Sequence, residues 1–304
     1  MRYLNPKADL TFKKVFGEHP DLVISFLNAL LPFDKPEEEI TEVEYLQPEL
    51  VPHNPLQKNS IVDVRCKDRR GRQFIVEMQM LWSPEFKQRV LFNASKAYVR
   101  QLGRSERYEL LQPVYSLNLV NEIYESGIDN YYQHYRMVMV ENTDYVIEGL
   151  ELVFIELPKF TPKNFNDKRM KVLWLRYLTE IDEDTREVPG ELLESPEIVR
   201  AVEQLEESAF TEAQLLGYDK FWDMVRVEKT LYSSAERRGL AKGYAEGKAQ
   251  GMAQGKAQGM AEGIDKGRKD TVASAVLKMR KKGYSNQEIS DVLEISLEEL
   301  EGMI

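Results

Sequence analysis

The amino-acid sequence predicts a mixed α/β domain followed by a helical C-terminal half. Three observations carry that expectation. Helical apolar periodicity opens the chain, several short runs rich in β-branched and large apolar residues follow, and beyond about residue 164 only helical patterning remains. Helices and strands interleaved in this way indicate a sheet flanked by helices. The division is an α/β domain over 1–160, a helical extension over 161–238, a glycine-periodic helix over 239–270 and a small helical module over 271–304.

The segment from Asp9 to Leu31 carries Phe12, Val15, Phe16, Leu22, Val23, Phe26, Leu27 and Leu30 on an apolar face, and Gly17 to Pro20 divides it into two helices. Residues 32–59 are rich in Pro and Glu and read as loop, with one strand at Glu42–Leu46. Ser60–Cys66 and Gln73–Leu81 form the clearest β signal. The polar turn Lys67-Asp68-Arg69-Arg70-Gly71-Arg72 between them makes a hairpin. A helix over Pro84–Leu102 has Pro in its first turn and Gly103 past its end. Val114–Val120 and Leu152–Leu157 read as strands, and Tyr135–Val140 as a weaker one. Further on, Trp174, Leu175 and Leu178 mark one helical face, and Phe221, Trp222, Val225 and Leu231 another.

A chain of 304 residues with 42% hydrophobic and 30% charged content can bury a sizeable core. One cysteine, Cys66, cannot form an intramolecular disulfide, and no apolar run approaches the roughly 18 residues that span a bilayer. The polar start lacks the apolar stretch of a signal peptide. These features predict a cytoplasmic protein with no membrane partner. A net charge of −10 argues mildly against a polyanionic partner. The cations are clustered, however. Arg65, Lys67, Arg69, Arg70 and Arg72 face only Asp68, and Lys266, Arg268, Lys269, Lys278, Arg280, Lys281 and Lys282 face only Asp270. Each cluster is either a solvated surface or an anion-binding wall.

Glycine recurs every fourth residue from Gly239 to Gly267, eight times, among Ala, Lys, Gln, Glu and Met. Each interior glycine weakens a helix by about 0.5–1 kcal/mol relative to alanine, so such a helix calls for compensating contacts. A period of four exceeds 3.6, and a sustained contact stripe would wrap right-handedly. The segment is either a linker or a self-associating helix that makes a homo-oligomer, and the period favours the helix. Beyond it, Ser285 with Glu288 and Ser296 with Glu299 are capping-box patterns. The two short helices they start could read DNA as a helix-turn-helix or serve as a protein-binding cap.

For chemistry, the hairpin stands out. Alternation along a strand puts Asp63 opposite to Val62 and Val64, and puts Glu77 and Gln79 on one face about 7 Å apart, away from Phe74, Val76, Met78 and Met80. Asp63 and Glu77 can then meet across two strands and hold one oxygen-loving cation. Spacing alone equally allows two solvated carboxylates on a half-exposed sheet.

The pattern Val62-Asp63, thirteen intervening residues, then Glu77-Met78-Gln79 resembles the PD-(D/E)XK nuclease motif. The opening Ala8-Asp9-Leu10-Thr11-Phe12-Lys13-Lys14-Val15-Phe16-Gly17 resembles the start of the recombination-promoting nuclease family, a transposase family of that superfamily. Arg89, Tyr98, Gln101, Leu102, Tyr108, Leu111 and Pro113 continue the likeness, which covers roughly residues 3–160. Val62 stands where the superfamily has Pro, and Gln79 where it has Lys. The resemblance implies a restriction-endonuclease-like core, a mixed sheet flanked by helices, and a metal-dependent DNA endonuclease linked to recombination, mobile DNA or phage defence. It implies Asp63, Glu77, Gln79 and Asp9 as catalytic residues. Asp63, Glu77 and the main-chain carbonyl of Met78 would hold Mg²⁺ or Mn²⁺, and Lys13, Arg69, Arg70 and Arg72 are candidates for DNA contact. The competing expectation is a catalytically weak oligomeric scaffold that keeps the fold.

Overall fold

A computed structural model describes residues 2–33, 35–50, 60–103, 105–162 and 169–302. It forms two compact units, Met1–Lys229 and Thr230–Ile304. In the first, α1 (Asp9–Glu18) and α2 (Pro20–Leu30) are parted at His19, where the following proline disfavours helical backbone. They bury Phe12, Val15, Phe16, Leu22, Val23, Phe26 and Leu27, the residues of the helical periodicity. A six-stranded mixed sheet follows, built from β1 (Val43–Tyr45), β4 (Val64–Asp68), β5 (Gln73–Gln79), β6 (Val114–Val120), β8 (Asn142–Glu156) and β7 (Tyr132–Met139) in that spatial order. β4 pairs antiparallel with β1 and β5, β5–β6 and β6–β8 are parallel, and β7 closes one edge antiparallel to β8. A separate two-stranded ladder joins β2 (Glu49–Leu50) to β3 (Ser60–Ile61).

The parallel step from β5 to β6 requires a crossover, and α3 (Phe86–Val99) supplies it. Phe86, Val90, Ala94 and Ala97 of α3 cover one face of the sheet, against Ile75, Val114, Val120 and Phe154. The opposite face carries Val64, Cys66, Phe74, Val76, Leu117, Leu119, Val153 and Ile155, packed under α1, α2, α4 (Arg169–Glu180) and α5 (Pro196–Glu203). Helices therefore cover both faces around β4, β5 and β6, where the half-exposed arrangement allowed by the strand alternation does not occur, while most of β7 and the first half of β8 stay exposed. α4 and α5 place Trp174, Tyr177, Leu178 and Ile198 inside this same core rather than beside it. The later strands are longer than their apolar runs, because β8 begins with the exposed polar stretch Asn142–Asp144.

The hairpin turn uses Gly71 at φ +81°, a left-handed conformation that glycine adopts without strain. Its charges serve the fold. Asp68 and Arg72 are both buried, joined at 2.7 Å, with Asp68 also accepting from the backbone N–H of Arg70 and of Arg72.

α6 (Glu212–Lys281) is one continuous helix that includes all eight periodic glycines. Its start packs Tyr218, Phe221 and Trp222 against Leu4, Ala8 and Phe210 in the first unit. In the second unit, α7 (Asn286–Leu293) and α8 (Leu297–Glu301) both begin with the capping boxes read from the sequence. They join Val276 of α6 in a small core with Ile289 and Leu300. No helix among the described residues is long and apolar enough to cross a membrane.

Candidate active site

β4 begins one residue after Asp63, so its ladder with β5 reaches only Val76, three residues short of the end of β5, and that shortfall makes the site. Asp63 does not lie within a strand, as the alternation suggested. It sits in the break between β3 and β4. Val62 consequently packs on the α3 side while Val64 packs on the opposite side. The backbone groups of Gln73 and Gln79 bond toward β6, so those of the even-numbered residues of β5 face β4. At Met78 no β4 residue remains to meet them. Asp63 Oδ2 accepts the Met78 N–H at 2.7 Å in place of a strand carbonyl. The Met78 carbonyl leaves the strand along the same edge.

Glu77 projects toward α3 and is 6% exposed. Asn93 Nδ2 donates to Glu77 Oε1 at 3.0 Å, and Arg89 Nη2 stands 3.8 Å from Glu77 Oε2. Arg89 also donates to Gln79 Oε1, while Gln79 Nε2 donates to the Leu81 carbonyl, so both ends of this amide are held. Asp63, Glu77, Met78, Gln79, Arg89, Phe92 and Asn93 line a cleft of about 640 Å³. A wider cavity of about 800 Å³ between α2 and α5 contains none of these groups.

Burial raises the Asp63 carboxyl to about 6. The Met78 N–H and Lys13 oppose that rise, and the charges of Glu77 and Asp9 add to it. Glu77 is likewise raised by burial, against the Asn93 hydrogen bond and the Arg89 charge. Two neighbouring carboxyls that resist ionisation in an open cleft are suited to a cation, which favours their charged forms.

The remaining sequence candidates fall elsewhere. Asp9 pairs with Lys13 at 2.6 Å, and both line a separate recess with Gln214 and Phe221. Their charges reach Asp63, but among the described residues no three acidic, His or Cys side chains gather closely enough to close a cage by themselves. Arg69 pairs with Glu42, Arg70 donates to the Glu37 carbonyl, and Arg72 is buried. Sequence reasoning missed Asn93 and the role of Arg89 at the cleft. The signal was available in Asn93, a polar residue inside the apolar arc of Val90 and Ala97.

A family model described as PD-(D/E)XK nuclease family transposase matches residues 6–229, and the chain belongs to that family. The match ends where the first compact unit ends. Neither the curated proteins nor the solved structures gave a match.

Proposed function

We propose that the protein is a metal-dependent DNA endonuclease that hydrolyses phosphodiester bonds in the service of recombination, mobile DNA or phage defence. One observation carries this reading: the buried Glu77 carboxylate and the half-buried Asp63 carboxylate, from neighbouring segments, line one cleft that also holds the Arg89 guanidinium. Asp63, Glu77 and the Met78 carbonyl would supply an all-oxygen donor set of the kind hard divalent cations take, which suits Mg²⁺ or Mn²⁺. Such an ion polarises a phosphoryl oxygen and makes water more acidic. Asn93 fixes the Glu77 carboxylate, and the Met78 N–H fixes Asp63. Gln79 cannot act as a base, and its oxygen is engaged by Arg89, so its part is to hold Arg89 and to orient water by hydrogen bonding. Arg89 supplies, from α3, positive charge beside the phosphoryl group, where the superfamily motif carries a lysine. Asp9 sets the charge around Asp63 from a distance.

The pH dependence of the metal-free protein follows. The folded-state value of Asp63 lies above its ordinary 3.8, so the fold holds this proton more tightly than the unfolded chain does. The Asp63 contribution to stability is full below about pH 4 and is lost as pH rises from there through about 6, where ionisation opposes the fold by about 3 kcal/mol. Relative to Asp63→Asn, the wild type should melt lower at about pH 7.5 than at about pH 5. Mg²⁺ or Mn²⁺ at about 100 times Kd should restore about 2.7 kcal/mol at the higher pH, and far less at the lower. A melting midpoint indifferent to both metals near neutral pH would count against the site.

The glycine row supports a homo-oligomer formed through α6. Among the described residues nothing lies within 4 Å of a Cβ built at any of its eight glycines, so no contact among them offsets the helical penalty. Gly251→Leu with Gly255→Leu should lower the mass seen by light scattering, while Ala253→Leu leaves it unchanged. Equal masses for all three proteins would reduce the row to a spacer. If assembly is real but plasmid DNA stays intact with either metal, the oligomeric scaffold becomes the better reading.

A further inference from the structure

We propose that α3, with Arg65 of β4 beside it, is the track along which the sugar–phosphate backbone of DNA enters the acidic cleft, with Lys96 and Arg100 each holding a phosphate. The proposal rests on the reading of DNA as substrate, and it assigns the residues that bind it. Residues 86–105 contain five Lys or Arg and no Asp or Glu, in a chain whose net charge is −10. Arg89, Asn93, Lys96 and Arg100 follow one another at helical spacings of four, three and four, and so form a single stripe. The stripe starts inside the cleft, because Asn93 and Arg89 touch Glu77. It extends about 16 Å at 1.5 Å per residue, the length of about five nucleotides at 3.4 Å per step.

Arg65 adds a cation from the sheet. It lies opposite Ile75 across the β4–β5 ladder, and Ile75 packs with Ala94 and Ala97 of α3, so Arg65 emerges on the side of the sheet that the helix covers. Burial weakens the hold of Arg65 on its proton, and the Arg100 charge adds to that effect. The same two causes act on Lys96. Like charges gathered in this way are relieved by an anion between them. The Lys96 ammonium stands 5.4 Å from the ring centre of Phe92, which is 45% exposed and lines the cleft. A cation beside an accessible aromatic ring is the pairing that tracks a nucleic-acid strand. The basic turn is less suited, since Arg72 is buried among Phe33, Phe74 and Tyr115 on the opposite side of the sheet.

The test is fluorescence anisotropy of a labelled duplex oligonucleotide with the full chain, without divalent metal, across a salt series. Lys96→Gln should reduce the slope of log K against log salt by about 0.9, and Lys96→Gln with Arg100→Gln by about 1.8. Lys96→Arg should retain the wild-type slope, which separates lost charge from lost packing. Arg69→Gln should leave it unchanged. An unaltered slope in the double variant, or no binding by the wild type, overturns the track. Plasmid cleavage by the wild type in Mg²⁺ is read in parallel. Cleavage with an unaltered slope overturns the track and leaves the nuclease standing. A reduced slope without cleavage sustains the track and removes the nuclease reading.

Discussion

Asp63→Ala and Glu77→Ala should each lower metal-dependent plasmid cleavage by more than about 10³-fold, because an ion held by this proposed donor set would supply several kcal/mol of charge stabilisation and each 1.4 kcal/mol is about tenfold. The two losses should not add, since either one dismantles the same donor set. Folding should survive both. Asp63→Ala leaves the Met78 N–H without its acceptor, at a cost of about 1–3 kcal/mol, but also removes a carboxyl that resists burial. Gln79→Ala should be milder than either, because it loses hydrogen bonds to Arg89 and Leu81 and no metal ligand. Equal nicking by wild type and both carboxylate variants would sink the nuclease assignment. Complete loss at Gln79 with activity remaining at Glu77 would mean that the two roles have been exchanged.

Arg72→Met should destabilise the first unit by about 3–5 kcal/mol, because it leaves a buried carboxylate without its counter-ion. Asp68 would keep only the backbone donors of Arg70 and residue 72. The Arg72 guanidinium also donates to the Glu38 carbonyl at 2.7 Å and lies near the rings of Phe33, Phe74 and Tyr115. For a unit of this size the loss corresponds to a drop in Tm of roughly 6–20 °C. Adding Asp68→Leu to Arg72→Met should recover part of it, because two apolar groups leave no orphaned charge. Arg69→Ala, on the exposed part of the turn, should stay within about 0.5 kcal/mol of the wild type. A melting curve for Arg72→Met that overlays the wild type would show that the pair contributes nothing.

Much of the architecture was legible because apolar periodicity reports burial directly. Val114–Val120 is read to the residue, and the Phe12 to Leu30 face enters the core entire. What escaped was tertiary. Nothing local announces that α3 covers the sheet face bearing Glu77, because Arg89 and Lys96 look like the solvated side of any surface helix. The charges of the hairpin turn misled in the opposite sense. Five cations in eight residues suggest a phosphate wall, yet Arg72 is drawn inside by Asp68, a partner four residues away, and lies against the rings of the distant Phe33 and Tyr115. The break at Asp63 was hidden for a related reason. Ile61-Val62-Asp63-Val64 alternates smoothly as text, while Val62 and Val64 are claimed by cores on opposite faces.

The short end of β4 gives the site its own spectroscopic reporter. An amide proton donated to a carboxylate resonates according to the charge on that carboxylate, and the Met78 amide is bonded to Asp63 instead of to a neighbouring strand. Its nitrogen–proton correlation should therefore move with the Asp63 proton near pH 6 and shift again when a cation takes that proton's place. One resonance in the middle of a hydrogen-bonded sheet would then follow the protonation and loading of the cleft, without substrate and without turnover.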